Sequence, residues 1–157
     1  MSAFTRALAV CGAVVIADQV TKAIAVASIQ PTEQVHLALG FVLARVENKG
    51  FAFGALGDGG TLVLVVAAAA LVAVLVWFAL DPTRPGLWLG VGLLAGGALG
   101  NLADRARVGA VTDFVDPPLW PAFNLGDLAI TVGAVVLVLV SIGASGGAGT
   151  SGAPSRP

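Results

Sequence analysis

The sequence has few of the side chains from which most metal, redox and nucleic-acid sites are built. Its 157 residues include one Cys, one His and no Tyr. A single thiol excludes an internal disulfide framework, and one Cys with one His falls short of the ligand sets of zinc and iron sites. Eight basic residues against nine acidic ones give a net charge of -1, which provides no basic surface for nucleic acid. We therefore expect no metal, no cofactor and no nucleic-acid partner.

Charged residues are scarce as well, whereas apolar residues are abundant. Charged side chains make up 11% of the chain and apolar ones 57%, with a mean hydropathy of +0.96. A water-soluble domain of this size does not have that balance, so the sequence predicts an α-helical integral membrane protein. A transmembrane helix needs about 20 mostly apolar residues, with about 17 as the lower limit. Four segments meet this length: residues 7–28, 61–80, 86–103 and 128–144.

The polar residues of the predicted bundle gather at one face of the membrane. Four spans leave both termini on one side and place two loops, residues about 29–60 and about 104–127, on the other. Carboxylates beside hydrocarbon are costly to keep ionised, so they usually have a function. Lys and Arg are similarly frequent on the two sides and do not set the orientation. The candidate functional side chains on the loop side are Asp18, Lys22, Asn48, Asn101, Asp104, Arg105, Asp113 and Asp127.

Asp113 and Asp127 are the central pair. Residues 110–115 alternate as in a β-strand and place Asp113 on an apolar face, which favours the protonated acid. Asp127 follows Asn124 at the start of the fourth span, where a helix N-terminus favours an anion; a capping box is the alternative explanation. Side by side, the two acids would share a proton and titrate as a pair. One can then take a proton from water while the other protonates a peptide carbonyl, which is peptide hydrolysis without a metal.

Two further patterns have structural as well as functional explanations. Asp18 and Lys22 are four residues apart, so either they neutralise each other at the end of the first span or they face a site. Small residues at positions 92, 96 and 100 leave one stripe of the third span bare, which predicts a closely packed neighbouring helix. Asn101 and Arg105 lie on the adjoining face and belong either to a site or to a tight helix pair capped by a snorkelling arginine.

The remaining segments indicate a small sheet and a flexible end. Residues 42–47 alternate between apolar and polar and predict a strand or hairpin in the first loop. Asn48, Lys49 and Gly50 then form a turn signal. Residues 145–157 are rich in Gly, Ser and Pro and predict a disordered C-terminal tail.

Five short polar segments, taken in order, form a series that covers most of the chain. They are Asp18-Gln19-Val20-Thr21-Lys22, Asn48-Lys49-Gly50, Gly100-Asn101-Leu102-Ala103-Asp104-Arg105, Val111-Thr112-Asp113-Phe114 and Phe123-Asn124-Leu125-Gly126-Asp127. This series resembles the motifs of the lipoprotein signal peptidases, also called signal peptidase II. In that family the acids of the last two motifs form the catalytic dyad, which corresponds to Asp113 and Asp127. The supporting residues that the resemblance implies are Asp18, Lys22, Asn48, Gly50, Asn101, Asp104, Arg105 and Asn124.

The resemblance implies an aspartic endopeptidase that removes the signal peptide from prolipoproteins, cutting before a diacylglyceryl-modified Cys. It also implies a place in the cytoplasmic (inner) membrane, cytoplasmic termini, and an active site beside a small extracytoplasmic β-cradle. The implied partners are diacylglyceryl-modified prolipoproteins, membrane lipid and globomycin-type inhibitors. This chain departs from the family pattern at Gly126, where Ala is usual, and at Phe51, where a small residue is common.

Two other functions are compatible with the same residues. A small proton- or ion-coupled carrier would use Asp18, Lys22, Asp113 and Asp127 as a relay. Such a carrier needs polar groups at the membrane midplane, and the second and fourth apolar segments offer almost none. A non-catalytic assembly factor would instead use the glycine stripe. Cleavage of a lipidated prolipoprotein by the purified protein, with and without globomycin, distinguishes the three.

Overall fold

The computed structural model describes residues 1–48 and 59–146, with side chains for all of these except 59–67 and 144–146. The described part is mostly helical and carries one small sheet. Its helices are α1 (Ala3–Ser28), α2 (Gly59–Leu80), α3 (Leu87–Val108) and α4 (Leu125–Gly146). Its strands are β1 (Gln34–His36), β2 (Val42–Asn48) and β3 (Val111–Asp116).

Three of the helices are long and apolar enough to cross a membrane. These candidate spans are Ala3–Ser28, Leu87–Val108 and Leu125–Gly143, so the predicted helical membrane class is confirmed. The helix α2 has 22 residues, which corresponds to about 33 Å, but its described apolar part, Ala68–Leu80, is shorter. A fourth span at α2 therefore stays a prediction.

The helix α3 lies between α1 and α4 and contacts both through glycines. A Cβ on Gly96 would lie only 2.7 Å from Val14 Cβ and 2.9 Å from the Cys11 carbonyl oxygen of α1. On another face, a Cβ on Gly97 would collide with the carbonyl oxygen of Gly126 in α4. The close helix contact predicted from the small-residue stripe is confirmed, and a second glycine face contacts α4.

The helices extend beyond the apolar segments that predicted them. The helix α3 continues to Val108 and ends at Gly109, whose φ of 76° is the left-handed conformation that favours glycine after a helix. Asp104 and Arg105 therefore lie in the last turns of α3, as expected for residues that close the third span. The helix continues past the apolar segment because its hydrogen bonding ends only at the glycine. At the chain's other end, α4 includes residues 145 and 146 of the predicted tail, and residues 147–157 lie outside the described part.

The sheet pairs two strands from the connection between α1 and α2 with one strand from the connection between α3 and α4. Its strand order is β1-β2-β3, and both pairs are antiparallel. The strand β2 confirms the alternation of residues 42–47, while the predicted turn after Asn48 falls outside the described residues at Lys49 and Gly50. Val46 is opposite Asp113, and a register shift separates Leu43 from Val46. The sheet thereby places Asp113 next to the strand that ends at Asn48.

Candidate active site

A buried ion cluster joins α1 to α3 at the end of the bundle that carries the sheet. Lys22 Nζ lies 2.8 Å from Asp18 Oδ2 and 2.9 Å from Asp104 Oδ2. The side chain of Asp18 is fully buried, and those of Lys22 and Asp104 are 4% and 8% exposed. The predicted pair of Asp18 and Lys22 is confirmed, and Asp104 is a second acid on the same ammonium. Removing one partner from a buried ion pair costs about 3–5 kcal/mol, so all three side chains are expected to support the fold.

Glycines leave the space in which this cluster forms. A Cβ on Gly100 would collide with the Asp18 carboxylate. Asp18 Oδ1 also accepts a hydrogen bond from the Gly126 backbone N–H at 2.8 Å, which joins α1 to the first turn of α4. A Cβ on Gly126 would lie 3.1 Å from Asp18 Oδ1 and 3.0 Å from Asn124 Oδ1. Gly126, a departure from the family pattern, therefore relieves crowding directly beside Asp127.

Gln19 belongs to the cluster, although the sequence analysis did not select it as a site residue. Its Nε2 donates to Asp18 Oδ2 at 3.2 Å, to the Gly100 carbonyl at 3.2 Å and to Asp104 Oδ1 at 3.0 Å. The signal that could have found it was its position next to an acid within an apolar span. An amide within a membrane span is costly unless it is hydrogen-bonded, so polar partners were to be expected nearby.

Asn101 connects the ion cluster to Asp127. Its Oδ1 accepts hydrogen bonds from Lys22 Nζ at 2.8 Å and from Asn124 Nδ2 at 3.2 Å. Because two donors hold this oxygen, the amide nitrogen faces the other way and donates to Asp127 Oδ1 at 2.8 Å. The positive charge of Lys22 thus favours the amide orientation that presents an N–H to Asp127.

Asn124 contacts both predicted catalytic acids. Its Nδ2 donates to Asp113 Oδ1 at 2.6 Å. Its backbone N–H donates to Asp127 Oδ2 at 3.3 Å, and its Oδ1 accepts from the Asp127 backbone N–H at 3.0 Å. The last two bonds form a capping box at the start of α4. The capping explanation for Asp127 is therefore confirmed, and it coexists with a second role because Asp127 Oδ1 remains directed at Asn101.

Asp113 lies on the buried face of β3, as the strand pattern predicted. It is 1% exposed, and its Oδ2 accepts a hydrogen bond from Asn48 Nδ2 of β2 at 3.0 Å. Burial raises the pKa of the Asp113 carboxyl, and the negative charge of Asp127 raises it further. The amide donors Asn48 and Asn124 and the charge of Lys22 act in the opposite direction, but burial outweighs them and the pKa stays above its usual value.

Two of the predicted supporting residues are not part of this network. Arg105 is exposed on α3, and among the described residues its side chain makes no hydrogen bond or ion pair. Gly50 lies outside the described residues. The predicted site residues that the structure brings together are Asp18, Lys22, Asn48, Asn101, Asp104, Asp113, Asn124 and Asp127.

The geometry provides two carboxyl groups in different environments within reach of one asparagine. Asp113 is enclosed by the sheet, whereas Asp127 is partly exposed at a helix start. One acid of such a pair can donate a proton while the other accepts one.

A family model described as Signal peptidase (SPase) II matches residues 10–143 of this chain. The chain belongs to the signal peptidase II family.

Individual relatives of the family cover most of the chain. The lipoprotein signal peptidase of Pelotomaculum thermopropionicum is 44% identical over 126 residues, which cover 79% of this chain and 83% of the relative. That of Rhodococcus jostii is 39% identical over 140 residues, which cover 85% of this chain and 70% of the relative. Asp113 and Asp127 both lie within the residues that the family model matches.

Two solved structures share the fold, and both are described as bacterial membrane enzymes. One superposes with a TM-score of 0.73 at 28% sequence identity and covers 85% of this chain and 90% of its own. The other has a TM-score of 0.74 at 25% identity and covers 96% of this chain and 94% of its own. This likeness, together with the candidate spans, identifies a multi-pass membrane protein.

Proposed function

We propose that this chain is an aspartic endopeptidase that removes the signal peptide from prolipoproteins, cutting before a diacylglyceryl-modified Cys. The observation that carries the proposal is the contact of Asn124 with both Asp113 and Asp127. A shared hydrogen-bond partner supports a common site for the two acids of the family motifs. Membership in the signal peptidase II family supports the choice of substrate.

The two acids take different parts in the proposed reaction. Asp113, whose pKa burial raises, holds the proton and directs it at the oxygen of the scissile carbonyl. Asp127, which receives N–H bonds from Asn101 and Asn124, is the anion that takes a proton from the attacking water. Water oxygen bonds to the carbonyl carbon and gives a tetrahedral diol on the peptide. Asp127 then returns its proton to the leaving amine as the C–N bond breaks, and the diol proton returns to Asp113.

The ion cluster has a positioning role in this proposal. Lys22 fixes the amide of Asn101, and Asn101 in turn directs an N–H at Asp127. Asp18 and Asp104 neutralise Lys22, so the ammonium can remain buried close to the dyad. Asp18 also holds the first turn of α4 through the Gly126 N–H. Arg105 and Gly50 remain proposed supporting residues, and the exposure of Arg105 suits contact with substrate or lipid.

The proposed placement has four spans, cytoplasmic termini and an extracytoplasmic active site in the cytoplasmic membrane. The described end of α2 supports four spans, because Phe78 packs with Ala7 of α1 and Leu87 of α3. This contact lies at the end of the bundle opposite the sheet, and the 22 residues of α2, about 33 Å, are long enough to reach from there to the other side of a membrane. A carrier would need charged groups within the spans, and residues 7–17, 68–80 and 128–143 contain none. The proposed partners are diacylglyceryl-modified prolipoproteins, membrane lipid and globomycin-type inhibitors.

The direct test is cleavage of a lipidated prolipoprotein by the purified protein in detergent, with and without globomycin. Asp113→Asn and Asp127→Asn are each expected to lower the rate by at least about 10²–10⁴-fold, because each removes one partner of the proton transfer. Asp116→Asn is the matched control, since it removes an acid from the same strand outside the proposed site. It is expected to cleave at the wild-type rate.

Folding must be measured on the same samples, by thermal unfolding and by protease resistance. Normal cleavage by either dyad variant would remove the catalytic assignment. Absence of cleavage by a folded wild type, with substrate that carries the diacylglyceryl group, would contradict the peptidase function itself.

A further inference from the structure

The end of the bundle opposite the ion cluster carries an open cavity lined by cationic and aromatic side chains. The cavity has a volume of about 610 Å³ and lies between the first turn of α1, the turn after α2 and the start of α3. Arg6, Thr83, Arg84 and Trp88 are among the residues that line it. Its volume is within the range of about 300–1,000 Å³ that is usual for small-molecule sites. Neither the dyad nor the cluster around Lys22 contributes to this cavity.

Aromatic rings hold the two arginines in place. Arg6 Cζ lies 5.4 Å from the centroid of the Trp88 ring, and Arg84 Cζ lies 5.6 Å from the Trp77 ring. Both distances are within the range of about 6 Å for a cation–π contact. Arg84 Nε is also paired with Asp81 Oδ2 at 3.1 Å. Asp81 is the one acid among the described residues at this end. Arg6, Arg84 and Asp81 together therefore carry a net charge of +1.

We propose that this cavity binds the phosphate-bearing headgroup of an anionic phospholipid. It lies at the N-terminal ends of α1 and α3, both candidate membrane spans, and therefore at the depth of the lipid headgroups. Tryptophan side chains favour the same interfacial depth, and arginine matches phosphate oxygens with paired N–H donors. The excess positive charge favours an anionic headgroup over a zwitterionic one, whose ammonium would meet the guanidinium groups. The proposal does not depend on the peptidase activity.

Native mass spectrometry of the full chain tests the site. The protein is released from detergent micelles that contain equal amounts of phosphatidylglycerol and phosphatidylcholine, and the wild type is expected to retain phosphatidylglycerol. Arg6→Gln and Arg84→Gln are each expected to weaken its retention about fivefold, as for one arginine beside an anionic lipid surface. Arg107→Gln is the matched control and is expected to retain the lipid, because Arg107 is an exposed arginine at the opposite end of α3.

Equal retention of the two lipids by the wild type, or unchanged retention in the Arg6→Gln/Arg84→Gln double variant, overturns the proposal. Inorganic phosphate is titrated separately while thermal unfolding is followed. If phosphate stabilises the wild type through the two arginines and phosphatidylglycerol is not retained, the ligand is a free phosphate compound and the lipid assignment is wrong.

A second measurement avoids the arginine variants in case they fold poorly. The chain has three tryptophans, and Trp120→Phe leaves only Trp77 and Trp88, both beside the proposed site. Phosphatidylglycerol brominated near the headgroup is expected to quench their fluorescence more strongly than phosphatidylcholine brominated at the same position. Equal quenching contradicts a site that selects the anionic headgroup.

Discussion

Asp113 is the residue at which burial and hydrogen bonding act in opposite directions. Two amide donors favour its anion, whereas burial and the neighbouring Asp127 favour its neutral acid. Burial is the largest of these effects, so the pKa is raised in the folded protein. Asp127 has no comparable enclosure, since it is partly exposed and accepts hydrogen bonds on both oxygens. The proposed division of roles follows from this difference between two chemically identical side chains.

The raised pKa of Asp113 predicts how stability changes with pH. The folded state binds this proton more tightly than the unfolded chain, whose Asp pKa is about 3.9. The resulting stabilisation is fully present below about pH 3.9 and is lost as the pH rises through the raised pKa. Asp113→Asn cannot titrate there. The difference in unfolding temperature, wild type minus Asp113→Asn, is therefore expected to fall as the pH rises from about 4.

Thermal unfolding in detergent across this pH range measures that difference. Using the difference removes the contributions of titrating groups that do not interact with Asp113, and any constant cost of placing an amide between Asn48 and Asn124. A difference that does not change with pH would show that the Asp113 proton is held equally in the folded and unfolded states.

At the scale of the elements, α3 organises the bundle because its glycines leave two faces without side chains. One glycine face contacts α1 and the other contacts α4, so three helices meet around Gly96, Gly97 and Gly100. The contact at Gly100 also leaves room for Asp18 in the ion cluster. Helix packing and site assembly therefore depend on the same stretch of backbone.

Alanine substitutions at two helical glycines distinguish the effect of helix packing on stability from the effect of helix propensity. In Gly96→Ala the new Cβ would lie 2.7 Å from Val14 Cβ, so the helices must move apart, at a cost of about 1–3 kcal/mol. Gly12→Ala is the matched control in α1, since nothing lies within 4 Å of a Cβ there, and no loss is expected. Thermal unfolding in detergent measures both variants. Equal stability of the two would indicate that α1 and α3 are less closely packed than described.

Much of this arrangement was predictable from local patterns, and part of it was not. The stripe of positions 92, 96 and 100 predicted a close helix contact because small residues recur on one helical face. Likewise, Asn124 and Asp127 have capping-box spacing, and alternation placed Asp113 on a buried face. The inward position of Asp104 was not predictable from hydropathy, because hydropathy does not show which face of a helix end a charged residue occupies. The register shift between β2 and β3 depends on pairing across the chain, which no local pattern encodes.

In the molecule as a whole, the two ends have different chemistry. One end holds the sheet, the ion cluster and the proposed dyad, and the other holds two arginines, two tryptophans and the apolar cluster around Leu87. The sequence motifs indicated the first end, because the described residues of the five ordered segments converge there. The second was not predicted, since Arg6 and Arg84 are distant in sequence and belong to no motif. Arg6 and Arg84 come together because α1 and α3 begin, and α2 ends, at the same end of the bundle.

This polarity predicts which residues face the same side of the membrane. In a Cys11→Ala background, which removes the one native thiol, single cysteines are placed at the exposed positions Leu39, Thr83 and Leu119. Leu39→Cys and Leu119→Cys lie at the sheet end and are expected to react with a membrane-impermeant maleimide on intact cells. Thr83→Cys lies at the opposite end and is expected to react only after permeabilisation. Labelling of positions 39 and 119 from opposite sides would contradict four spans, because α2 and α3 together must return the chain to the same face. Labelling of position 83 alone from outside would keep the four spans and reverse the proposed orientation.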